Sequence, residues 1–197
     1  MTDVPNQLIA RIAADSKYWL WINDQLVVFE GGLKRGPSPS GTYYDPVDIA
    51  PYLTKGSNTI AILLWHFAKD GFSHINSGKA ALLFEAIAPG LEIVSDASWQ
   101  CALYEAYQNT DAPFPNYRMP ESNIRFDARQ AITNWNRTRF EGSLPGAVCV
   151  GKAGKAPFGE LVERPIPQWK NSGLLSYVSV RESLKGDTLF CRLPYNA

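Results

Sequence analysis

The chain has 197 residues, 45% of them apolar, and its 19 lysines and arginines balance 19 aspartates and glutamates at a pI near 6.7. That length supports one domain with a real core, or one domain plus an appendage. A nucleic-acid partner would call for a basic surplus, and the longest apolar run, residues 59–65, is strand-sized and too short to cross a bilayer, so neither a nucleic acid nor a membrane is expected as a partner.

Six Trp, nine Tyr and nine Phe, punctuated by 14 Pro and 15 Gly, favour an all-β chain. Leu8, Ala10, Ile12 and Ala14 alternate with Ile9, Arg11 and Ala13, a period of two that predicts a strand. After Asp15-Ser16, Tyr18, Leu20 and Ile22 share one face, while Lys17, Trp19, Trp21 and Asn23 share the other. Asn23-Asp24 then makes a tight turn, so residues 17–29 read as a hairpin. Residues 31–41 have the composition of a surface loop, 48–53 suit a single helical turn, and Lys55-Gly56 reverses the chain. Residues 58–65 form a strand apolar on both faces, as expected deep in a sandwich.

A second loop, 67–79, precedes strands at 80–88 and 91–94, which flank the turn Pro89-Gly90. Short strands are expected at 102–107, 124–129 and 147–151, with a proline-rich loop over 113–120. Arg164-Pro165-Ile166-Pro167-Gln168-Trp169 is a rigid extended connector. Beyond it, 174–180 and 188–193 look like strands with nothing left to pair with. The organisation is thus a sandwich over residues 1–164, then a connector and the start of a truncated following β domain over 165–197. Strands at this spacing predict an antiparallel β-sandwich of jelly-roll type.

Several segments carry a family resemblance. Ile12-Ala13-Ala14-Asp15-Ser16-Lys17-Tyr18-Trp19-Leu20-Trp21-Ile22-Asn23 resembles the first hairpin of the N-terminal sandwich in bacterial α-L-rhamnosidases. Arg35-Gly36-Pro37, Tyr43-Tyr44-Asp45-Pro46-Val47-Asp48-Ile49-Ala50-Pro51-Tyr52-Leu53 and Lys55-Gly56-Ser57-Asn58-Thr59-Ile60-Ala61 are similar to the segments that follow it. Ser95-Asp96-Ala97-Ser98-Trp99, Arg125-Phe126-Asp127-Ala128-Arg129 and the connector extend the likeness over roughly residues 8–170. The motifs persuade by their order and joint presence, and one departs: Asn23-Asp24 stands where the family typically has Asn-Gly, although both suit the same turn.

The resemblance implies a galactose-binding-domain-like sandwich that accompanies a downstream catalytic domain. In that family a later helical-barrel domain bears the two carboxylates that cleave the sugar, so no residue here is assigned a catalytic role. The implied partners are that domain and a rhamnose-containing glycan. The implied compartment of the parent enzyme is periplasmic or secreted, although Met1-Thr2-Asp3 lacks the basic start and apolar stretch of a secretory signal.

The remaining chemistry-bearing residues are few. Asp45 and Asp48 sit beside a proline, where aspartates make turns, and Asp127 between Arg125 and Arg129 reads as a surface ion cluster. His66, Asp70 and His74 lack zinc spacing, and no calcium-loop motif is present, so no metal and no cofactor is expected. Cys101, Cys149 and Cys191 are odd in number and far apart, as buried free thiols on strands. No Ser-His-Asp signature is recognisable.

Loop aromatics remain. Sugar rings stack on Trp and Tyr while hydroxyls seek polar side chains, and two segments offer both kinds of group: Arg35 with Tyr43 and Tyr44, and Trp65-His66-Phe67 with Phe72 and His74. Trp19 and Trp21 add a flat platform on a sheet face. The same rings would equally serve as a packing face for a neighbouring domain.

Overall fold

The structure is a computed structural model that describes residues 1–32, 36–71, 74–109, 124–173, 179–182 and 189–192. Among these residues the regular elements are strands and two short 3-10 turns, Ala50–Tyr52 and Ala128–Gln130. Strand β1 (Ile9–Asp15) lies between β4 (Thr42–Asp48) and β6 (Ala81–Ala88), antiparallel to both. The hairpin partner β7 (Leu91–Val94) and the parallel β10 (Leu161–Glu163) complete a five-stranded sheet in the order β10-β4-β1-β6-β7. Facing it is a three-stranded antiparallel sheet, β3-β2-β5, built from β2 (Lys17–Ile22), β3 (Gln25–Gly32) and β5 (Ile60–Trp65).

The expected β-sandwich is the observed one, and alternation explains it. Ala10, Ile12 and Ala14 from β1 and Tyr18, Leu20 and Ile22 from β2 are at most 1% exposed and meet between the sheets with Phe84 and Val28. Each large apolar side chain buried there contributes about 1.5–3 kcal/mol. Asn23 and Asp24 both have positive φ (47° and 70°), the conformation a two-residue hairpin turn needs and one that Asn and Asp tolerate. The Asn23 side chain then donates to Tyr52 O and Asn58 Oδ1, tying the turn to the loop before β5.

One carboxylate locks sheets and connector together. Asp45 on β4, 1% exposed, accepts from Tyr18 Oη at 2.7 Å and Gly32 N at 3.0 Å, and pairs with Arg164 Nε at 2.6 Å. Gly31 is required beside this site because a Cβ there would overlap the Tyr18 ring. Burial, reinforced by the charge of Asp45, holds the Tyr18 phenol well above its ordinary value, so it stays protonated and donates. Asp45 is therefore not a local turn-maker, as its proline neighbour led us to expect. Asp48 is, accepting from Ala50 N, and it also takes Leu8 N.

Other differences have similar causes. Residues 58–65 are not deep in the sandwich: β5 is an edge strand, half-buried at every position. Residues 102–106 and 147–151 form no strand; the pairing there is a single bridge between Gln100 and Gly146. Cys101 and Cys149 are exposed rather than buried. The C-terminal strands are not partnerless, since β11 (Ser179–Glu182) and β12 (Leu189–Arg192) pair antiparallel with each other. Two further short strands, β8 (Tyr107–Asn109) and β9 (Ile124–Phe126), likewise pair with each other.

Removing Arg164 would leave the Asp45 charge buried without its cation. Arg164→Ala is expected to cost about 3–5 kcal/mol in denaturant unfolding. Arg11→Ala, which breaks the solvent-exposed pair with Glu85, should cost under about 1 kcal/mol. Equal effects would contradict this account of the lock.

Candidate functional site

Alternation along β2 that buries Tyr18, Leu20 and Ile22 necessarily turns Trp19 and Trp21 outward. Register then places Leu63 beside Trp19 and Ala61 beside Trp21 on the outer face of β5. Trp65, at the end of that face, stacks on Trp19 with ring centroids 6.2 Å apart and planes inclined by 22°. Phe29 and Phe67 meet this pair edge-on at 6.5 and 5.6 Å. Trp21 packs edge-on against Trp135 at 5.2 Å, and Tyr104 continues the contact.

All of these rings except Phe67 line a groove of about 1280 Å³ that runs along β5. Its far walls come from residues 99–108 and 132–151. Leu103, Val148 and Val150 in those walls are exposed, Leu103 at 83%. Charged groups are sparse, with Asp96 the only carboxylate and His66 the only imidazole lining it among the described residues; Thr59, Ser95, Gln100 and Gln108 add uncharged polar groups. Hydrogen bonds from Ser98 hold the Asp96 carboxyl below its ordinary range, so it is ionised at neutral pH.

A buried polar cluster anchors one end of the groove at the passage from β1 to β2. Asp15, Ser16 and His74 are each at most 2% exposed. Ser16 Oγ donates to Asp15 Oδ1 at 2.8 Å and accepts from Phe67 N at 3.1 Å, while Ser77 N donates to Asp15 Oδ2 at 2.7 Å. His74 Nε2 lies 3.1 Å from Ser16 Oγ and 3.2 Å from Asp15 Oδ1, which assigns its proton to Nε2. Although these residues are Asp, Ser and His, they do not form a nucleophilic triad. Acid and hydroxyl share one ring nitrogen, whereas a triad needs them on opposite nitrogens, and the serine proton already goes to the carboxylate. Burial pushes the Asp15 carboxyl up, but hydrogen bonds from His74, Ser77 and Ser16 outweigh it and hold the group well below the usual carboxylate range.

The sequence-derived sugar-contact residues are not gathered in one place. Arg35 and Phe72 lie outside the described residues. Tyr43 and Tyr44 are consecutive on β4 and so point to opposite faces; Tyr44 packs against the cluster of Ala13, Ala81 and Phe158 and reaches Glu163. His74 is withdrawn from solvent into the Asp15 cluster, and His66 is set against Asp15 O at 3.2 Å. Among the described members of that set, Trp65 and His66 line the aromatic groove. Trp135, Tyr104 and Phe29 escaped sequence reasoning; the alternation of Trp19 and Trp21 was the signal pointing to this face. Asp127 does form the expected surface ion pair, with Arg129 at 2.7 Å.

No protein-family model matches the sequence, and no curated protein matches it. Among solved structures, the chain is similar to the GH78 family rhamnosidase of Bacillus sp. GL1, with 28% identity and a TM-score of 0.73 over 91% of this chain and 18% of that one. It shares its fold with the α-L-rhamnosidase of Aspergillus terreus, at 18% identity and a TM-score of 0.64 over 94% of this chain and 22% of that one. The chain therefore resembles one part of the GH78 α-L-rhamnosidases and spans about a fifth of the length of these enzymes.

The depressed Asp15 carboxyl makes a pH prediction. The unfolded group takes up a proton near its ordinary value of 3.8 while the folded one resists. Its stabilisation is thus complete above that value and is lost as pH falls below it. Melting temperatures between about pH 5 and pH 3 should fall more steeply for the wild-type chain than for Asp15→Asn, itself less stable at pH 7. Parallel slopes would remove Asp15 from the acid response.

Proposed function

We propose that this chain is a non-catalytic accessory sandwich of an α-L-rhamnosidase-like glycoside hydrolase, and that its aromatic groove is the face that seats the rest of the enzyme. The observation that carries the reading is the 28% identity to a GH78 rhamnosidase across nine-tenths of this chain but only 18% of that enzyme. The carboxylates agree with it. Glycoside cleavage needs one protonated and one ionised carboxyl facing a sugar pocket, roughly 5–9.5 Å apart. Asp15 and Asp45 are instead buried in hydrogen-bonded clusters, and among the described residues Asp96 stands in the groove without an acid partner. Exposed Leu103, Val148 and Val150 beside stacked tryptophans favour packing against a protein surface.

A second reading rests on the Trp19–Trp65 pair. Such a platform suits the C–H face of a pyranose, and a rhamnose-containing glycan would be the ligand, with Trp65 and His66 at its margin. The exposed apolar side chains of Leu103, Val148 and Val150 in the groove favour the first reading.

The purified chain should not hydrolyse an aryl α-L-rhamnoside above background. Calorimetric titration with rhamnose should give no heat of binding, and Trp65→Ala should lower the melting temperature without altering any sugar response. Turnover abolished by changing one Asp or Glu would overturn the accessory role. Saturable sugar binding lost in Trp65→Ala would establish the second reading in place of the docking face.

A further inference from the structure

We propose that the groove beside β5 is a β-strand acceptor: it takes one extended, uncharged segment of the longer rhamnosidase-like polypeptide, which pairs with Ile60, Ile62 and Leu64 and adds a fourth strand to the three-stranded sheet. This rests on the accessory reading above for the source of the strand, and on the geometry of β5 for its form.

In an antiparallel ladder, alternate residues direct both backbone groups at one neighbour. Asn23 N donates to Thr59 O, and the register carries the bonded set on through Ala61, Leu63 and Trp65. The N–H and C=O groups of Ile60, Ile62 and Leu64 therefore point away from β2, into the groove. Among the described residues no strand pairs with that edge. Unpaired backbone groups at this spacing are what strand addition uses.

The surroundings select the occupant. Side chains of Ile60, Ile62 and Leu64 face the core yet remain half-buried, as does Leu82 across from them, so alternate residues of an added strand would complete the apolar packing. At about 1280 Å³ the groove exceeds the roughly 300–1,000 Å³ typical of small-ligand pockets. With Asp96 its only carboxylate among the described residues, it favours an uncharged segment. A second copy of the chain does not fit: the edge is recessed between walls at residues 99–104 and 147–151, and two recessed edges cannot meet. The solved neighbours are about five times longer than the matched region, which supplies abundant polypeptide outside it.

The test uses the full 197-residue chain, isotope-labelled for amide exchange by NMR. Alone, Ile60, Ile62 and Leu64 should exchange far faster than Ala61, Leu63 and Trp65. Overlapping ten-residue synthetic peptides from the unmatched remainder of the Bacillus sp. GL1 rhamnosidase are then titrated in, alongside an alternating valine–threonine peptide. At least one rhamnosidase peptide should slow the three exposed amides. Ile60→Pro, which removes an outward N–H at the first residue of an edge strand, should weaken that binding about tenfold. An intact set of amide shifts in this variant confirms its fold.

Four results would overturn the proposal: equal protection along β5 without peptide, no protection by any peptide, protection by the valine–threonine peptide alone, or protection that rises with chain concentration as a dimer forms. The third would remove the rhamnosidase source while leaving an acceptor edge, and none depends on the hydrolysis and sugar titrations that test the accessory role.

Discussion

The Asp45 carboxylate is the point through which the two sheets and the connector are joined. It takes a phenol from β2, a backbone amide from the end of β3 and a guanidinium from the segment after β10, all while itself on β4. A buried charge is tolerable only when fully paired, so each of these partners must be in place when the site closes. Arg164 also donates to Gly32 O, and its backbone amide to Tyr44 O, so the side chain that neutralises Asp45 also holds the parallel β10 against β4. The start of the connector is thereby part of the sandwich.

A second buried carboxylate does the same work at the other end. Asp15 ends β1, Ser16 precedes β2, and the chain changes sheets between them. Ser77 and His74 from the loop before β6 close over that junction. The two clusters show what the acids in the interior of this chain do. Despite its burial, the Asp15 carboxyl is held below its ordinary range by hydrogen bonds from His74, Ser77 and Ser16, and Asp45 is bound by Tyr18, Gly32 and Arg164. Both acids thus fix strand crossings, whereas a general acid needs an environment that raises its pKa.

Legibility in the sequence follows the range of each interaction. The alternation of Tyr18, Leu20 and Ile22 against Trp19 and Trp21, the Asn23-Asp24 turn and the Pro89-Gly90 hairpin are set by neighbours a few residues away, and all were readable. Asp45 was misread because Arg164 and Tyr18 reach it from other strands. His74 read as a loop group for a sugar because Asp15, which buries it, lies far earlier in the chain. The position of β5 was misjudged for a different reason: a run apolar on both faces is the same whether a strand is central or at an edge whose partner comes from elsewhere. Residues 147–151 show the reverse, with an apolar composition but no strand.

That ambiguity bears on what the exposed surface means. An apolar edge is a liability that proteins usually blunt with lysine, proline, a bulge or a covering segment. Among the described residues β5 has none of these between Ile60 and Trp65, and β2 pairs with it over its whole length without a register shift. The charge that could protect it is placed elsewhere, in the Arg11–Glu85 pair and the Asp127–Arg129 pair. Protection withheld from one apolar edge, beside stacked tryptophans and exposed Leu103 and Val148, marks that edge as a surface kept free of obstacles to pairing. A free-standing sugar-binding module would have the opposite economy, with polar side chains around its platform and a closed edge behind it.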